Sequence, residues 1–183
     1  LSYFKKIVRI CIKKKWLNVD PFIDFKMTRR KKRRVVLSQT DLNNMCAKQF
    51  SNDRLAIVRD IFLFSCFTGL AYADVAKLKR TDVFIGIDGY KWICCKRKKT
   101  ERNDSSSNIP LLPIAEAIVN KYSNDPTCIE KGLVLPVRTN QKMNEYLKEI
   151  ADLCEIHIPL TFHIARHTFA TTVTLSNFFT KQI

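Results

Sequence analysis

The sequence predicts a mainly α-helical protein with one small antiparallel β-sheet, and three observations carry this prediction. Apolar residues recur at helical spacing in several separate segments. An aromatic and apolar run at 92–95 follows the turn sequence GIDGY and is typical of a strand. Apolar side chains make up 46% of the 183 residues, which is enough for one well-packed domain with an appendage.

The first 17 residues predict an amphipathic helix. Lysines surround its apolar stripe, and a single helix of this kind needs a packing partner. The stripe consists of Phe4, Ile7, Val8, Cys11 and Ile12. Because no helix-start signal precedes it, we interpret residues 1–27 as the end of a domain whose earlier part is absent from this chain.

A basic run separates this helix from the remainder. Pro21 ends the helix, and six consecutive cations follow, as in an exposed linker. These candidate phosphate-binding residues are Arg29, Arg30, Lys31, Lys32, Arg33 and Arg34. We therefore predict an interdomain linker at 28–36 and a main domain at 37–183.

The main domain is predicted to begin with helices. Ser38, followed three residues later by Asp41, is a helix start. A second helix spans about 54–66, a tight corner follows at 68–70, and a short helix comes next at about 73–79. The inward positions of the second helix are Leu55, Val58, Ile61, Phe62 and Ser65 or Cys66.

A β-hairpin and further helices complete the domain. The strand at 92–95 pairs with a return strand that contains Ile109 and Leu111, and 96–108 is a polar tip. Pro113 then opens a helix, since proline is tolerated at the first helical position.

Two more helices are predicted near the end of the chain. Asn140 caps the first, and its inward residues recur at helical spacing. These are Met143, Leu147, Ile150 and Cys154. The second helix runs from about 162 to 175.

The charge of the chain indicates a polyanionic partner. Its 32 Lys and Arg outnumber its 17 Asp and Glu, and the net charge is +15. Nucleic acid is the first partner to consider. An anionic membrane surface would also attract a chain of this charge, but the sequence has no bilayer-spanning apolar run and no signal peptide. We expect a soluble cytoplasmic protein.

Seven cysteines are scattered along the chain without a CxxC pair. Zinc and dithiol redox chemistry are therefore not indicated. Cysteines in apolar runs, such as Cys66 in FLFSCF, behave as small hydrophobes and are expected in the core.

The last helix carries a candidate catalytic pair. His163 and Arg166 are three residues apart, so both project from one helix face and can address a single phosphate. Arginine offers a planar fork of donors, and histidine donates one hydrogen bond or moves a proton. The spacing alone is equally compatible with polar residues on the exposed side of a helix end.

Positive charge also collects at the hairpin tip, where four cations precede three serines. They are Lys96, Arg97, Lys98 and Lys99. One interpretation is a solvated loop that contacts DNA phosphates without sequence preference. The other places one lysine at a scissile phosphate as general acid for the leaving oxygen.

Three segments, in this order, resemble motifs of the tyrosine recombinase family of phage and transposon integrases. FTGLAYADVAKLK (67–79) resembles the first motif, KRKKTERNDSSSNIPLLP (96–113) the lysine hairpin, and FHIARHTFATT (162–172) the HxxRH box. The resemblance covers about 28–176 and implies the catalytic-domain fold of that family. It also makes 1–27 the end of a core-binding domain and the basic run the joint of a clamp around duplex DNA.

The resemblance implies phosphoryl transfer through a 3′-phosphotyrosyl intermediate, without a metal or nucleotide cofactor. Arg166 resembles the second catalytic arginine, and His163 resembles the box histidine. Lys99 resembles the hairpin lysine, with Lys98 as the near alternative. His167 matches the residue after the arginine and is given a supporting role.

The sequence departs from the family pattern in three respects. Ala71 occupies the position of the first catalytic arginine, as in the similar TGLAYSD segment of integrases from Bacteroidetes elements. Either another basic residue such as Lys77 or Arg80 reaches the phosphate, or the pocket lacks that charge. The chain ends in FFTKQI where the family continues to its nucleophile, and all five tyrosines precede Arg166. We therefore expect a fragment truncated at both ends and without the nucleophile.

These features favour a DNA-binding recombinase fragment that does not cleave its substrate. The alternative is a noncatalytic interaction module that inhibits or joins an intact integrase. A basic RNA-binding protein is a third possibility, although no RRM stacking motif or GXXG loop is present. The expected partners are double-stranded DNA and, for the alternative, other recombinase protomers.

Overall fold

The structure is a computed structural model that describes residues 2–25, 34–96 and 106–174, except for the side chains of Ser2 and Lys96. The chain divides into two compact units, Leu1–Arg33 and Arg34–Ile183. None of the helices in the described part combines the length and the apolarity needed to cross a membrane.

Within residues 2–25, the described part of the first unit holds helix α1 (Ser2–Lys13), so the predicted amphipathic helix is present but ends before residue 17. Its predicted stripe is only partly covered: Val8 is buried, whereas Phe4 and Ile7 are each 55% exposed. A short turn supplies the packing, because the rings of Phe4 and Phe22 meet edge to face at 5.6 Å.

The second unit is built around α3 (Asp53–Thr68). The predicted inward stripe of this helix is buried, and burial extends around its whole circumference at 58–68. Asn52 caps its first turn by accepting from Arg54 N at 3.0 Å. From residue 58 to 68 the helix is enclosed, because several other elements of the same unit pack around it.

The remaining helices lie before and after α3. They are α2 (Gln39–Ala47), α4 (Tyr72–Val75), α5 (Pro113–Lys121), α6 (Pro126–Lys131), α7 (Asn140–Leu153) and α8 (Phe162–Thr168). Contacts join α3 to α2, α5, α7 and α8. The core of the unit therefore lies between α3 and the helices around it.

Two predicted helix starts can be compared with the structure. The Ser38 and Asp41 start is confirmed, since Asp41 N donates to Ser38 Oγ at 3.1 Å and Ser38 N donates to the Asp41 carboxylate at 2.9 Å. The prediction that Asn140 caps α7 was wrong by one residue. Thr139 is the cap and accepts from Lys142 N, while Asn140 is the first helical residue.

The small sheet has three antiparallel strands in the order β1 (Val83–Ile85), β2 (Lys91–Lys96) and β3 (Ser106–Pro110). Ile93 pairs with Val83 on one side and Ile109 on the other. The predicted polar tip was too long, because backbone pairing continues out to Lys96 and Ser106. Ladder hydrogen bonds are made by the backbone and do not require apolar side chains.

Three elements differ from the sequence prediction. The short helix predicted at 73–79 begins at Tyr72 and ends at Val75, and a single turn of 3₁₀ helix follows at Arg80–Asp82. Strand β1 was not predicted, because three residues are too few for a visible alternation. Helix α6 was also missed, although Asp125 caps it and a proline occupies its first position.

Candidate functional site

The candidate pair lies on α8, whose apolar residues fix the helix in the core. Phe162, Ile164, Ala165 and Thr168 are buried. The backbone N of Phe162 donates to Asn144 Oδ1 of α7 at 2.8 Å, which satisfies one free donor at the start of the helix. The opposite face is therefore held outward, with His163 exposed and Arg166 and His167 half-buried.

The two histidines of α8 touch each other. Their ring centroids lie 4.6 Å apart and their planes cross at 81°, in an edge-to-face arrangement. They are four positions apart in sequence, which is about one helical turn. This contact gives His167, the residue assigned a supporting role from the sequence, a direct position beside His163.

His167 is surrounded by positive charge. Desolvation lowers its pKa below the ordinary value of 6.5, and the positive charges of His163, Arg34 and Arg166 lower it further. Among the described residues, no carboxylate forms an ion pair with Arg166. Protonation of His167 is disfavoured because positive charge surrounds it. A face with such unpaired cations favours the binding of an anion.

The corner after α3 packs against the continuation of α8. Gly69 ends α3 in a left-handed conformation with φ 69°. A Cβ placed there would lie 2.5 Å from the Phe169 ring. Phe169 begins a π-helical segment, Phe169–Val173, that extends α8. Together α8 and this segment match the final helix predicted at about 162–175.

Tyr72 brings the first motif to the start of α8. Its ring meets the ring of Phe162 edge to face at 5.6 Å, and its hydroxyl donates to Arg138 O at 2.8 Å. The motifs at 67–79 and 162–172, about ninety residues apart in sequence, are therefore packed together. Ala71 lies between Gly69 and Tyr72 and is only half-buried.

The residues just after the basic run are fixed to the same helix. Leu37 is buried, and its backbone N donates to Thr168 Oγ1 at 3.0 Å. Thr172 Oγ1 donates to Leu37 O at 2.5 Å. The chain between Arg34 and Leu37 therefore runs close to α8. Sequence reasoning missed this attachment, although two threonines four residues apart in the HxxRH box were visible.

Lys77 and Arg80 were suggested as residues that could supply the positive charge that Ala71 lacks. One of them, Arg80, is already hydrogen-bonded to backbone carbonyls. The Arg80 guanidinium donates to Leu133 O at 3.2 Å and to Ser123 O at 2.5 Å. These bonds satisfy one carbonyl just after α5 and one just after α6, which gives Arg80 a structural role instead of leaving it free to replace the missing charge. Lys77 is exposed.

Several predicted site residues lie outside the described part of the chain. These are Arg29, Arg30, Lys31, Lys32, Arg33, Arg97, Lys98 and Lys99, together with the side chain of Lys96. What is described is the support for the hairpin, because β2 and β3 pair up to Lys96 and Ser106. The basic run is described only at Arg34, which is exposed.

A second group of charges lies around Asp60 of α3. Asp60 forms ion pairs with Arg59 at 2.7 Å and with Lys121 at 2.8 Å, and it accepts from the Tyr122 hydroxyl at 2.8 Å. Burial, followed by the nearby Asp60 carboxylate, raises the pKa of Tyr122. A cavity of about 280 Å³ adjoins this group. Each of these charges has a partner inside the fold, which indicates a structural role.

No group of three or more His, Cys, Asp or Glu side chains capable of holding a metal ion occurs among residues 2–25, 34–96 and 106–174. Six of the cysteines are free thiols, namely Cys11, Cys46, Cys66, Cys94, Cys128 and Cys154. Burial raises the pKa of the core thiols of Cys66, Cys128 and Cys154, as expected for small apolar side chains rather than reactive ones.

Neither a protein-family profile nor a curated protein sequence matches this chain. Several solved structures, in contrast, are similar to this chain. A lambda integrase dimer bound to a COC′ core site is similar with a TM-score of 0.70 and 14% identity, over 96% of this chain and 62% of that one. XerH site-specific recombinase bound to difH substrate in a pre-cleavage complex gives 0.62 and 17%, over 84% of this chain and 46% of that one.

The Tn1549 transposon integrase in complex with transposon right end DNA is a third similar structure, with a TM-score of 0.59 and 14% identity. The alignment covers 94% of this chain and 64% of that one. The chain thus spans between about half and two thirds of the length of these proteins. The predicted fold is confirmed: mainly helical with a small antiparallel sheet, as in the catalytic domain of tyrosine recombinases.

Proposed function

We propose that this chain is a DNA-binding part of a site-specific tyrosine recombinase that acts in DNA integration or recombination. The observation that carries the proposal is the outward face of α8, where Arg166 has no ion-pair partner among the described residues and lies beside His163 and His167, within a fold shared with recombinase catalytic domains. The net charge of +15 supports a duplex DNA partner. A DNA partner is also the basis on which we assign the protein to the cytoplasm.

In this proposal the α8 face binds the phosphate at which a DNA strand is exchanged. The Arg166 guanidinium donates to two nonbridging oxygens, and His163 donates one hydrogen bond to the same group. Lys99, matched by sequence to the family's hairpin lysine, is proposed to contact the same phosphate, and it transfers no proton in a chain that leaves the strand intact. These cations balance the negative charge of the bound phosphate, so the proposal needs no metal ion.

We propose no nucleophile within this chain. Tyr72 contacts the start of α8, but its hydroxyl donates to Arg138 O and its ring is held against Phe162. Tyr122 is buried, and its hydroxyl donates to Asp60. The chain is therefore proposed to bind the phosphate and to leave the strand intact.

The first experiment measures duplex binding as a function of salt. The intact chain is compared with a variant in which the six cations of the basic run, 29–34, are replaced by Gln. We expect binding that weakens steeply as salt rises, and a shallower salt dependence in the variant, because fewer counterions are released. Absence of salt-sensitive duplex binding by the intact chain would exclude the proposal.

The second experiment tests cleavage with a nicked suicide DNA substrate and denaturing electrophoresis. We expect no covalent protein–DNA band. If a band forms, the Tyr72→Phe variant shows whether the tyrosine beside α8 is responsible, with Tyr90→Phe as a matched control on the exposed β1–β2 turn. A band would overturn the noncleaving part of the proposal and leave the DNA-binding part standing.

A further inference from the structure

The attachment of Leu37 limits where Arg34 can lie. Both backbone polar groups of Leu37 are hydrogen-bonded to side chains of α8 and its π-helical continuation, together called the α8 segment. The N donates to Thr168 Oγ1, and the O accepts from Thr172 Oγ1. Three residues of extended chain reach at most about 10 Å, so Arg34 stays within that distance of the attachment. Thr168 directly follows His167 in sequence, which puts the end of the basic run beside the candidate site.

The charge of Arg34 already acts on that site. Among the described cations, those that lower the pKa of His167 are His163, Arg34 and Arg166, and Arg34 precedes Arg166 in the size of its effect. Arg34 itself is exposed, so its guanidinium is accessible to a ligand. No carboxylate among the described residues is ion-paired with it.

The other described cations near the first motif are less well placed. Arg80 is bonded to backbone carbonyls. Arg138 contributes its carbonyl to the Tyr72 hydroxyl, and its exposed side chain has no contact with α8 among those described. Lys77 follows α4, and its charge is absent from those that act on His167.

We infer that Arg34 is a phosphate-binding residue of the α8 site, where it binds the same phosphate as Arg166, rather than a linker residue that contacts the DNA backbone elsewhere. The site then holds two guanidinium groups even though Ala71 provides none. Two arginines that share one phosphate can satisfy more of its oxygens than one fork alone. The inference rests on the proposed function and deepens it.

A double-mutant cycle with a short DNA duplex at fixed salt tests the inference. Arg34→Gln and Arg166→Gln are each expected to weaken binding about tenfold. If both residues hold one phosphate, the double variant binds at least about threefold more tightly than the product of the two single effects predicts. Arg54→Gln, an exposed arginine at the start of α3, is the matched control and is expected to combine additively with Arg166→Gln. Additive behaviour of Arg34 with Arg166 would overturn the inference.

A second measurement does not depend on DNA binding. The chain has three histidines, so the imidazole signal of His167 can be followed by NMR. We expect Arg34→Gln to raise the pKa of His167 towards its ordinary value and Arg54→Gln to leave it unchanged. Inorganic phosphate should shift the His167 signal in the parent chain and less in Arg34→Gln.

The two measurements separate the possible failures. If the duplex does not bind but inorganic phosphate shifts His167 in an Arg34-dependent way, the proposed function fails and the shared anion site stands. If the duplex binds but Arg34→Gln changes neither the pKa of His167 nor the phosphate response, Arg34 is only a linker contact. That result would contradict the inference and leave the proposed function intact.

Discussion

Charged side chains are paired with one another around Asp60, whereas those on the outer face of α8 have no partner of opposite charge among the described residues. Around Asp60, two cations and a phenol converge on one carboxylate that is 4% exposed. On α8, Arg166 and two histidines stand together with no carboxylate paired to them among the described residues. A buried charge is tolerated only when it is paired. A half-exposed cluster of positive charges can stay unpaired until a ligand binds.

The difference predicts that substitutions in the two regions affect separate properties. Changes around Asp60 should alter the free energy of unfolding and affect DNA binding only through folding. Changes on α8 should alter binding and leave the free energy of unfolding almost unchanged. The corner at Gly69 connects the core to the α8 segment, so it should affect both.

The largest effect is expected for Asp60→Ala. Removing the carboxylate leaves the buried Arg59 without its ion-pair partner, with Lys48 O as its remaining acceptor, and the Tyr122 hydroxyl without its acceptor. Breaking a buried ion pair in this way costs about 3–5 kcal/mol. Urea unfolding measures the loss, and Asp152→Ala, an exposed carboxylate on α7, is the control, expected to change stability by less than about 0.5 kcal/mol. Equal stability of the two variants would show that the Asp60 group is not structural.

The next largest effect is expected for Gly69→Ala. The left-handed conformation costs a non-glycine residue about 1–2 kcal/mol, and the new Cβ would also press on the Phe169 ring at 2.5 Å. Gly132→Ala is a matched control, since Gly132 has φ 63° but no atom within 4 Å of the added Cβ. Urea unfolding should show a larger loss for Gly69→Ala, and duplex binding should weaken in that variant alone. Equal losses would mean that the Phe169 contact adjusts without cost.

The sequence predicted those features that depend on neighbouring residues. The Ser38 and Asp41 capping box, the inward stripe of α3 and the common face of His163 and Arg166 follow from local spacing, and each is present. Even the corner at 68–70 was visible, because a glycine between two helices favours a left-handed helix end.

Contacts between distant segments could not be predicted in the same way. Leu37 and Thr168 are 131 residues apart, and Asp60 and Tyr122 are 62 apart. Local periodicity states which face of a helix is apolar but not which other segment that face meets. For this reason Arg80 was suggested as a replacement for the missing charge, although it is hydrogen-bonded to carbonyls just after α5 and just after α6. The roles of Lys99 and of the basic run before Arg34 stay predictions.

A smaller effect is expected for Arg166→Ala, which tests the other side of the comparison. Loss of a charged hydrogen bond to phosphate should weaken duplex binding by about 1.5 kcal/mol, roughly tenfold, and reduce the salt slope by about one. Its unfolding free energy should differ from the parent by less than about 0.5 kcal/mol. If the variant instead loses stability without a change in salt slope, the α8 face is structural and the contrast with Asp60 disappears.

The smallest effect concerns the pH dependence of stability through His167. Its folded pKa is lowered, so between that value and the ordinary 6.5 the unfolded chain binds more protons than the folded chain. The free energy of unfolding should therefore be highest above about pH 6.5, fall as pH decreases through this interval, and level off below the folded pKa. His167→Gln should flatten this decrease, whereas His157→Gln, an exposed histidine before α8, should retain it. A bound phosphate offsets the surrounding positive charge, so saturating inorganic phosphate should also reduce the decrease in the parent chain. Failure of phosphate to do so, with the His167 dependence present, would show that the cation cluster repels a proton without binding an anion.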